Sequence, residues 1–145
     1  MRIEERKNAL IQLGFAIRND KDWVTAMTET AFIHNNWFTP ANSSKSLTAI
    51  ASEFLSEEKL EAWSSKYQIS EVAPKKVGLV LAGNIPLVGW HDIMCTFVAG
   101  HISVIKYSSK DKILISQLIQ RLEVIDPKTK DYFENTYKNV NVLIG

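Results

Sequence analysis

Residues 77–86 read VGLVLAGNIP, an apolar run followed by a turn. The run is continuous, whereas a strand with one face in water alternates apolar and polar residues. A continuous run of this length is typical of a strand covered on both faces, as in a parallel sheet. Gly83 and Pro86 in the turn favour a sharp change of direction and the start of a helix. We therefore predict a buried strand over residues 77–82 and a helix over residues 87–99.

The chain beyond this helix continues the alternation of strands and helices. Gly100 ends the helix, and residues 102–105 form a second predicted strand. An amphipathic helix follows, then a helical turn over residues 132–137 and a third strand over residues 140–144. Strand, helix, strand, helix, strand is the order of one half of a doubly wound nucleotide-binding sheet.

Several helix starts are marked by capping residues. Thr39 followed by Pro40 predicts one start, and Ser56 predicts another, because hydroxyl side chains cap helices well and proline suits the first helical position. Ser108 and Asp111 have the spacing of a capping box before the amphipathic helix.

These patterns predict an α/β fold with two parts. Residues 1–72 form a helical N-terminal cap, and residues 73–145 form the first half of a Rossmann-like NAD(P)-binding domain with three parallel strands. Three strands leave open edges and half of the nucleotide crevice unbuilt. We therefore expect the chain to be the N-terminal part of a longer protein. We also expect it to form a homo-oligomer or to meet a partner through the sheet edge.

Composition excludes several classes of function. The 145 residues are 46% hydrophobic, with 17 basic and 16 acidic side chains and a net charge of +1, so we expect no nucleic-acid partner. One cysteine excludes a disulfide framework and a multi-cysteine metal site, and it suits the reducing cytoplasm. The apolar runs are too short for a membrane span, and the charged N-terminus is not a signal peptide. We predict a soluble cytoplasmic protein.

Asn84 lies in the turn after the first strand, where open parallel sheets bind ligands. Its amide on a rigid turn could stabilise the negative charge that develops on a carbonyl under attack. Asparagine is also a favoured helix cap, so a purely structural role as the cap of the next helix remains an alternative.

Lys106, Ser108 and Lys110 follow the second strand, about 20 residues past the glycine turn. In dinucleotide-binding folds this place meets the adenine ribose, and an acidic residue there selects NAD. A lysine with hydroxyl neighbours would instead accept a 2′-phosphate, whereas the alternative is a solvated lysine-rich loop. Neither G-x-G-x-x-G nor G-x-x-x-x-G-K-[ST] occurs in the sequence.

Cys95 and His91 are four residues apart and could share a helix face as a thiol–imidazole pair. Cys95 stands in an apolar segment, and we favour the interpretation that it is a small core residue. No metal site is expected from the histidines. We expect core or interface roles for three of the tryptophans, Trp23, Trp37 and Trp63.

Residues 77–111 also contain the segments LAGNIPL, HD, AGH and KYSSKD, and residues 36–40 read NWFTP. With these motifs nearly the whole chain resembles the acyl-CoA reductases of the LuxC-type fatty acid reductase family. This family is a branch of the aldehyde dehydrogenase superfamily.

The resemblance implies a function. Such enzymes transfer an acyl group from a fatty acyl-CoA or acyl-protein thioester to a cysteine and reduce it to the aldehyde with NADPH. Asn84 matches the asparagine that helps to form the oxyanion hole, and Lys106 matches the lysine at the adenine ribose. Ser108 and Gly83 would complete the cofactor site, with NADP as the cofactor and NAD as an alternative.

Cys95 does not match the nucleophile of the family, which lies further along a full-length chain. We therefore expect this chain to lack the nucleophile and to be inactive alone. The alternative is a non-catalytic module that binds a nucleotide or CoA, or that docks on a partner.

Overall fold

Helices make up the first half of the computed structural model, which describes residues 1–136 and 140–145. These four helices are α1 (Ile3–Asn19), α2 (Lys21–His34), α3 (Pro40–Glu53) and α4 (Glu57–Ser64). The predicted caps of α3 and α4 are confirmed: Thr39 accepts a hydrogen bond from the Asn42 N–H, and Ser56 accepts one from the Lys59 N–H.

The second half of the chain contains a sheet of parallel strands, as predicted. The strands are β1 (Lys76–Val80), β2 (Ile102–Lys106), β3 (Phe133–Glu134) and β4 (Val142–Ile144). Their order in the sheet is β3-β2-β1-β4. All three pairings are parallel, with Leu79 opposite Ile105 on one side and opposite Ile144 on the other. The chain is therefore an α/β protein.

The last strand is not the third strand of the sheet, and this part of the prediction is wrong. Residues 142–144 form a fourth strand that pairs with β1, on the side away from β2. The strand order therefore reverses beside β1. In doubly wound sheets such a reversal opens a crevice at the carboxyl ends of the strands, where ligands bind.

The third strand is β3, where a helical turn was predicted. A 3-10 helix occupies Pro127–Tyr132, and Phe133 and Glu134 then pair with Ser103 and Val104 of β2. The prediction of helix over residues 133 and 134 is wrong, and its last residue, Tyr137, lies outside the described residues. Phe133 packs beside Phe97, with 5.5 Å between the ring centroids, and this tertiary contact favours the extended backbone.

Two further helices, α5 (Trp90–Val98) and α6 (Ile113–Ile125), connect the strands. The N-terminal helices pack on them, and one apolar core extends from Ala9 to Tyr132. Gly100 ends α5 with a φ of +86°, and the Arg6 guanidinium of α1 lies against it and donates to the Val98 carbonyl. The N-terminal helices are thus joined to the sheet through α5 and α6. None of the described helices is both long and apolar enough to span a bilayer.

Candidate functional site

The candidate site lies where two turns meet at the carboxyl edge of the sheet. One turn follows β1 and contains Gly83, and the other follows β2 and contains Ser108. A Cβ atom on Gly83 would lie 2.1 Å from the Ser108 Oγ and 2.5 Å from its Cβ, so a larger residue there would force one of the turns to shift. The Ser108 hydroxyl also accepts the N–H of Lys110 at 3.2 Å. The structure thus brings together Gly83 and Ser108, two of the predicted cofactor-binding residues.

A second contact between the turns joins Leu87 to Asp111. The Leu87 N–H donates to the Asp111 Oδ2 at 2.5 Å, and the Asp111 residue is 2% exposed. Leu87 has a φ of +64°, in the left-handed region that a side chain with a Cβ rarely adopts. Such a residue cannot belong to a right-handed helix, so the prediction of a helix from residue 87 is wrong. The helix begins at Trp90 instead.

Asp111 does not cap the helix that follows it, and the predicted capping box is also wrong. The N-cap of α6 is Lys112, which makes no side-chain cap hydrogen bond. Burial raises the pKa of Asp111 to about 6, against the opposing effect of the Leu87 hydrogen bond. The second carboxyl oxygen, Oδ1, is buried and has no hydrogen-bond partner in the described part of the chain.

Asn84 is exposed on the turn that these two contacts fix. Within residues 1–136 and 140–145 its side chain makes no hydrogen bond. The N-cap of α5 is Gly89, five residues further on, so the alternative that Asn84 caps this helix is wrong. Asn84 lines a cavity of about 280 Å³ whose other lining residues are Asn35, Trp37, Phe38, Gly83 and Lys110.

The far wall of this cavity is a corner between α2 and α3, which no sequence pattern places at the site. The Asn35 Nδ2 donates to the Lys110 carbonyl at 3.2 Å, which ties the corner to the turn after β2. Asn35 also accepts the Trp37 N–H through its side chain and the Phe38 N–H through its carbonyl. Phe38 is 2% exposed and anchors the corner, whereas Trp37 is 89% exposed. Of the two roles expected for Trp37, the core role is therefore wrong, and the interface role stays a prediction.

Lys106 lies at the end of β2 and is exposed. It lines a different cavity, of about 380 Å³, whose walls come from β1, β4 and the end of β2. The remaining lining residues are Gly78, Leu79, Val80, Val140, Asn141, Val142 and Leu143. Lys106 and Asn84 are therefore near the same sheet edge without sharing a cavity.

Cys95 and His91 are neighbours on α5, as their spacing predicts. The Cys95 Sγ lies 3.7 Å from the His91 Nδ1 and 3.8 Å from its Nε2. Burial, with a smaller contribution from the Asp92 charge, raises the pKa of the Cys95 thiol. The thiol is half-buried and stays protonated, which is the opposite of what a nucleophile needs.

Within residues 1–136 and 140–145, no group of three or more His, Cys, Asp or Glu side chains could hold a metal ion. No protein-family model, curated protein or solved structure matches the chain.

Proposed function

We propose that the chain is the N-terminal part of a cytoplasmic reductase that converts a fatty acyl-CoA or acyl-protein thioester to the aldehyde with NADPH. The proposal starts from the resemblance to the LuxC-type reductases. The observation that supports it best is Asn84, whose amide is exposed and unpaired within the described residues. Its turn is fixed by the Gly83–Ser108 and Leu87–Asp111 contacts, at the edge of the sheet where ligands bind.

In this proposal Asn84 stabilises charge on the substrate carbonyl. A cysteine thiolate, supplied by a part of the full-length protein beyond residue 145, attacks the thioester carbon. The carbonyl electron pair moves to oxygen, and the Asn84 Nδ2 donates a hydrogen bond to that oxyanion. When the carbonyl re-forms, the bond to the carrier sulfur breaks and the carrier leaves as a thiolate, which then takes a proton from water. Because the turn is already in place, the amide needs no reorganisation as charge develops.

Lys106 is proposed to bind the ribose end of NADPH, which supplies the hydride for reduction when it is bound. The cavity beside Lys106 fits the adenosine part of this cofactor in size and chemistry. Val80, Val142 and Leu143 provide apolar walls for the base, and the ammonium group can pair with a 2′-phosphate. Among the described residues no carboxylate lines this cavity, so nothing there repels that phosphate. Ser108 and Gly83, which meet where the turns after β2 and β1 contact each other, are proposed to complete the cofactor site.

The experiment that tests this function is Asn84→Ala in the full-length protein. Aldehyde formation from decanoyl-CoA and NADPH should fall by ~10²–10³-fold in kcat, since one oxyanion donor commonly contributes that much. Affinity for NADPH should stay within about twofold. Asn42→Ala, at an exposed asparagine of α3, is the matched control and should leave turnover unchanged. Wild-type turnover in Asn84→Ala would exclude the oxyanion role.

A second candidate is a binding module that meets a partner through the sheet edge. The observation that favours it is β4, a short outer strand whose apolar side chains are exposed: Val142 by 45%, Leu143 by 73% and Ile144 by 42%. Such an edge can pair with another chain. Light scattering on the chain tests this candidate, because an edge strand that pairs with a second copy should give a dimer, and Leu143→Lys should then restore the monomer. A stable dilute monomer for the wild type would exclude pairing between copies through β4.

A further inference from the structure

Trp37 has the most exposed of the large hydrophobic side chains in the described residues, at 89%. The indole is not on a loose segment. Its backbone N–H donates to the Asn35 Oδ1 at 3.1 Å, and the next residue, Phe38, is buried in the core. The Asn35 Nδ2 is bonded in turn to the Lys110 carbonyl. A large apolar side chain is therefore presented to solvent from a fixed backbone, and it contributes little to the core.

The position of the indole relative to Asn84 indicates what it could bind. Both side chains line the same cavity of about 280 Å³, with Phe38 as a further apolar lining residue. An apolar wall beside an unpaired amide donor fits a ligand that carries a carbonyl group on an apolar chain. We infer that Trp37 is a substrate-binding residue and that the methylenes of the acyl chain lie along its indole, including those beyond the length of a butyryl group, while the carbonyl faces Asn84. This inference rests on the proposed function and adds the acyl-binding wall to it.

The nucleotide of coenzyme A is the other flat or apolar group that an exposed tryptophan could bind, by stacking. The whole pantetheine arm separates that nucleotide from the thioester carbonyl. A ligand with its carbonyl at Asn84 therefore cannot place its adenine on Trp37 in the same small cavity. The acyl chain is attached directly to the carbonyl carbon and can reach the indole.

The test measures binding to the 145-residue chain by calorimetry, so it does not depend on reductase activity. The probes are decanoyl and butyryl thioesters of N-acetylcysteamine, which keep the acyl group and omit the carrier, together with decanoyl-CoA, free CoA and decanoate. Wild type should bind the decanoyl thioester at least about tenfold more tightly than the butyryl thioester, because buried methylenes contribute favourably. Decanoyl-CoA should bind at least as tightly as the truncated thioester, and free CoA should not compete with that thioester.

Trp37→Ala should weaken decanoyl binding about tenfold, roughly the effect of two buried methylenes, and should reduce the dependence on chain length. Trp37→Phe should restore part of the affinity. Phe15→Ala removes another exposed aromatic side chain, 57% exposed on α1 and away from this cavity, and should change nothing. Because Trp37 is so exposed, its substitution should leave the melting temperature unchanged, which separates lost binding from lost folding.

Three outcomes would overturn the inference: no binding of any acyl thioester, competition by free CoA, or unchanged chain-length dependence in Trp37→Ala. Tighter binding of decanoate than of the thioester would show that the site takes a carboxylate. Failure of the proposed function has a different signature: acyl thioesters would bind through Trp37, but the full-length protein would form no aldehyde. Conversely, the full-length protein could form aldehyde while Trp37→Ala leaves its preference for chain length unchanged. That result would contradict the inference about Trp37 and leave the proposed function standing.

Discussion

The backbone N–H of Leu87 donates to the carboxyl group of Asp111 at 2.5 Å, across 24 residues of sequence. This bond joins the turn after β1 to the turn after β2. It satisfies a backbone donor at a residue whose φ is +64°, and it uses a carboxyl group that is 2% exposed. The position of Asn84, three residues before Leu87, therefore depends on a buried acid.

Asp111 should give the stability of the protein a specific dependence on pH. Its folded-state pKa of about 6 is higher than the ordinary value of 3.8, because burial disfavours the charged form. Between these values the folded state binds a proton that the unfolded state does not. The contribution of protonated Asp111 to the stability of the folded state is therefore complete below about pH 4, and it is lost as the pH rises through 6. Relative to Asp111→Asn, the wild type should lose on the order of 3 kcal/mol of unfolding free energy over this range.

Urea unfolding at several pH values between 4 and 7 measures this difference. Asp131→Asn is the control, because it removes a carboxyl group of the same kind from an exposed position. A difference between Asp111→Asn and wild type that does not change with pH would show that Asp111 titrates normally.

Gly83→Ala should destabilise the protein through the contact with Ser108. The added Cβ would lie 2.1 Å from the Ser108 Oγ, so one of the two turns must shift, at a cost of about 1–3 kcal/mol. The double variant Gly83→Ala/Ser108→Gly should recover part of this loss, because it removes the clashing side chain. Gly145→Ala is the control, since its Cβ would lie 3.7 Å from the nearest atom, in Val80. Additive losses in the double variant would mean that the two turns do not press on each other.

Lys106→Ala should weaken NADPH binding more than NADH binding, because only NADPH carries the 2′-phosphate that the ammonium group is proposed to meet. We expect about a tenfold loss of NADPH affinity and less than a threefold loss for NADH in the full-length protein, by fluorescence titration. Lys45→Ala, on α3, provides a control for the loss of one positive charge. Equal losses for the two cofactors would remove Lys106 from the phosphate site.

Local signals in the sequence predict the parts of the fold that local interactions determine. Thr39 and Ser56 cap their helices as predicted, because a hydroxyl side chain bonds to an N–H three residues away. The apolar run predicts β1, because Val77, Gly78 and Leu79 are buried in a strand that lies between β2 and β4. The strand ends at Val80, earlier than predicted, and Val80 is 44% exposed, so the prediction of a strand covered on both faces to its end is wrong. Gly100 ends α5 because it adopts a positive φ without strain.

Distant contacts determine the features that the sequence did not reveal. The spacing of Asp111 fits a capping box, but a bond to Leu87 outcompetes the cap, and no local pattern announces that bond. β3 has two residues, too few for any periodicity, and it is held by β2 and by an ion pair of 2.8 Å between Lys76 and Glu134. The pairing of β4 with β1 is likewise a matter of tertiary packing.

The candidate site was predicted in part for the same reason. The proximity of Gly83, Asn84 and Ser108 follows from the sequence pattern, because turns after parallel strands meet at one edge of a sheet. Trp37 was missed as a site residue because its exposure depends on how the corner between α2 and α3 packs on Lys110. The NWFTP segment around it was the one signal available.

Mass spectrometry of the full-length protein after incubation with decanoyl-CoA, without cofactor, examines the proposed reductase chemistry most directly. We expect one decanoyl thioester adduct on a cysteine outside residues 1–145, with Cys95 unmodified, and release of the adduct as decanal when NADPH is added. Asn84→Ala should form this adduct much more slowly. Absence of an adduct, or an adduct on Cys95, would contradict the account.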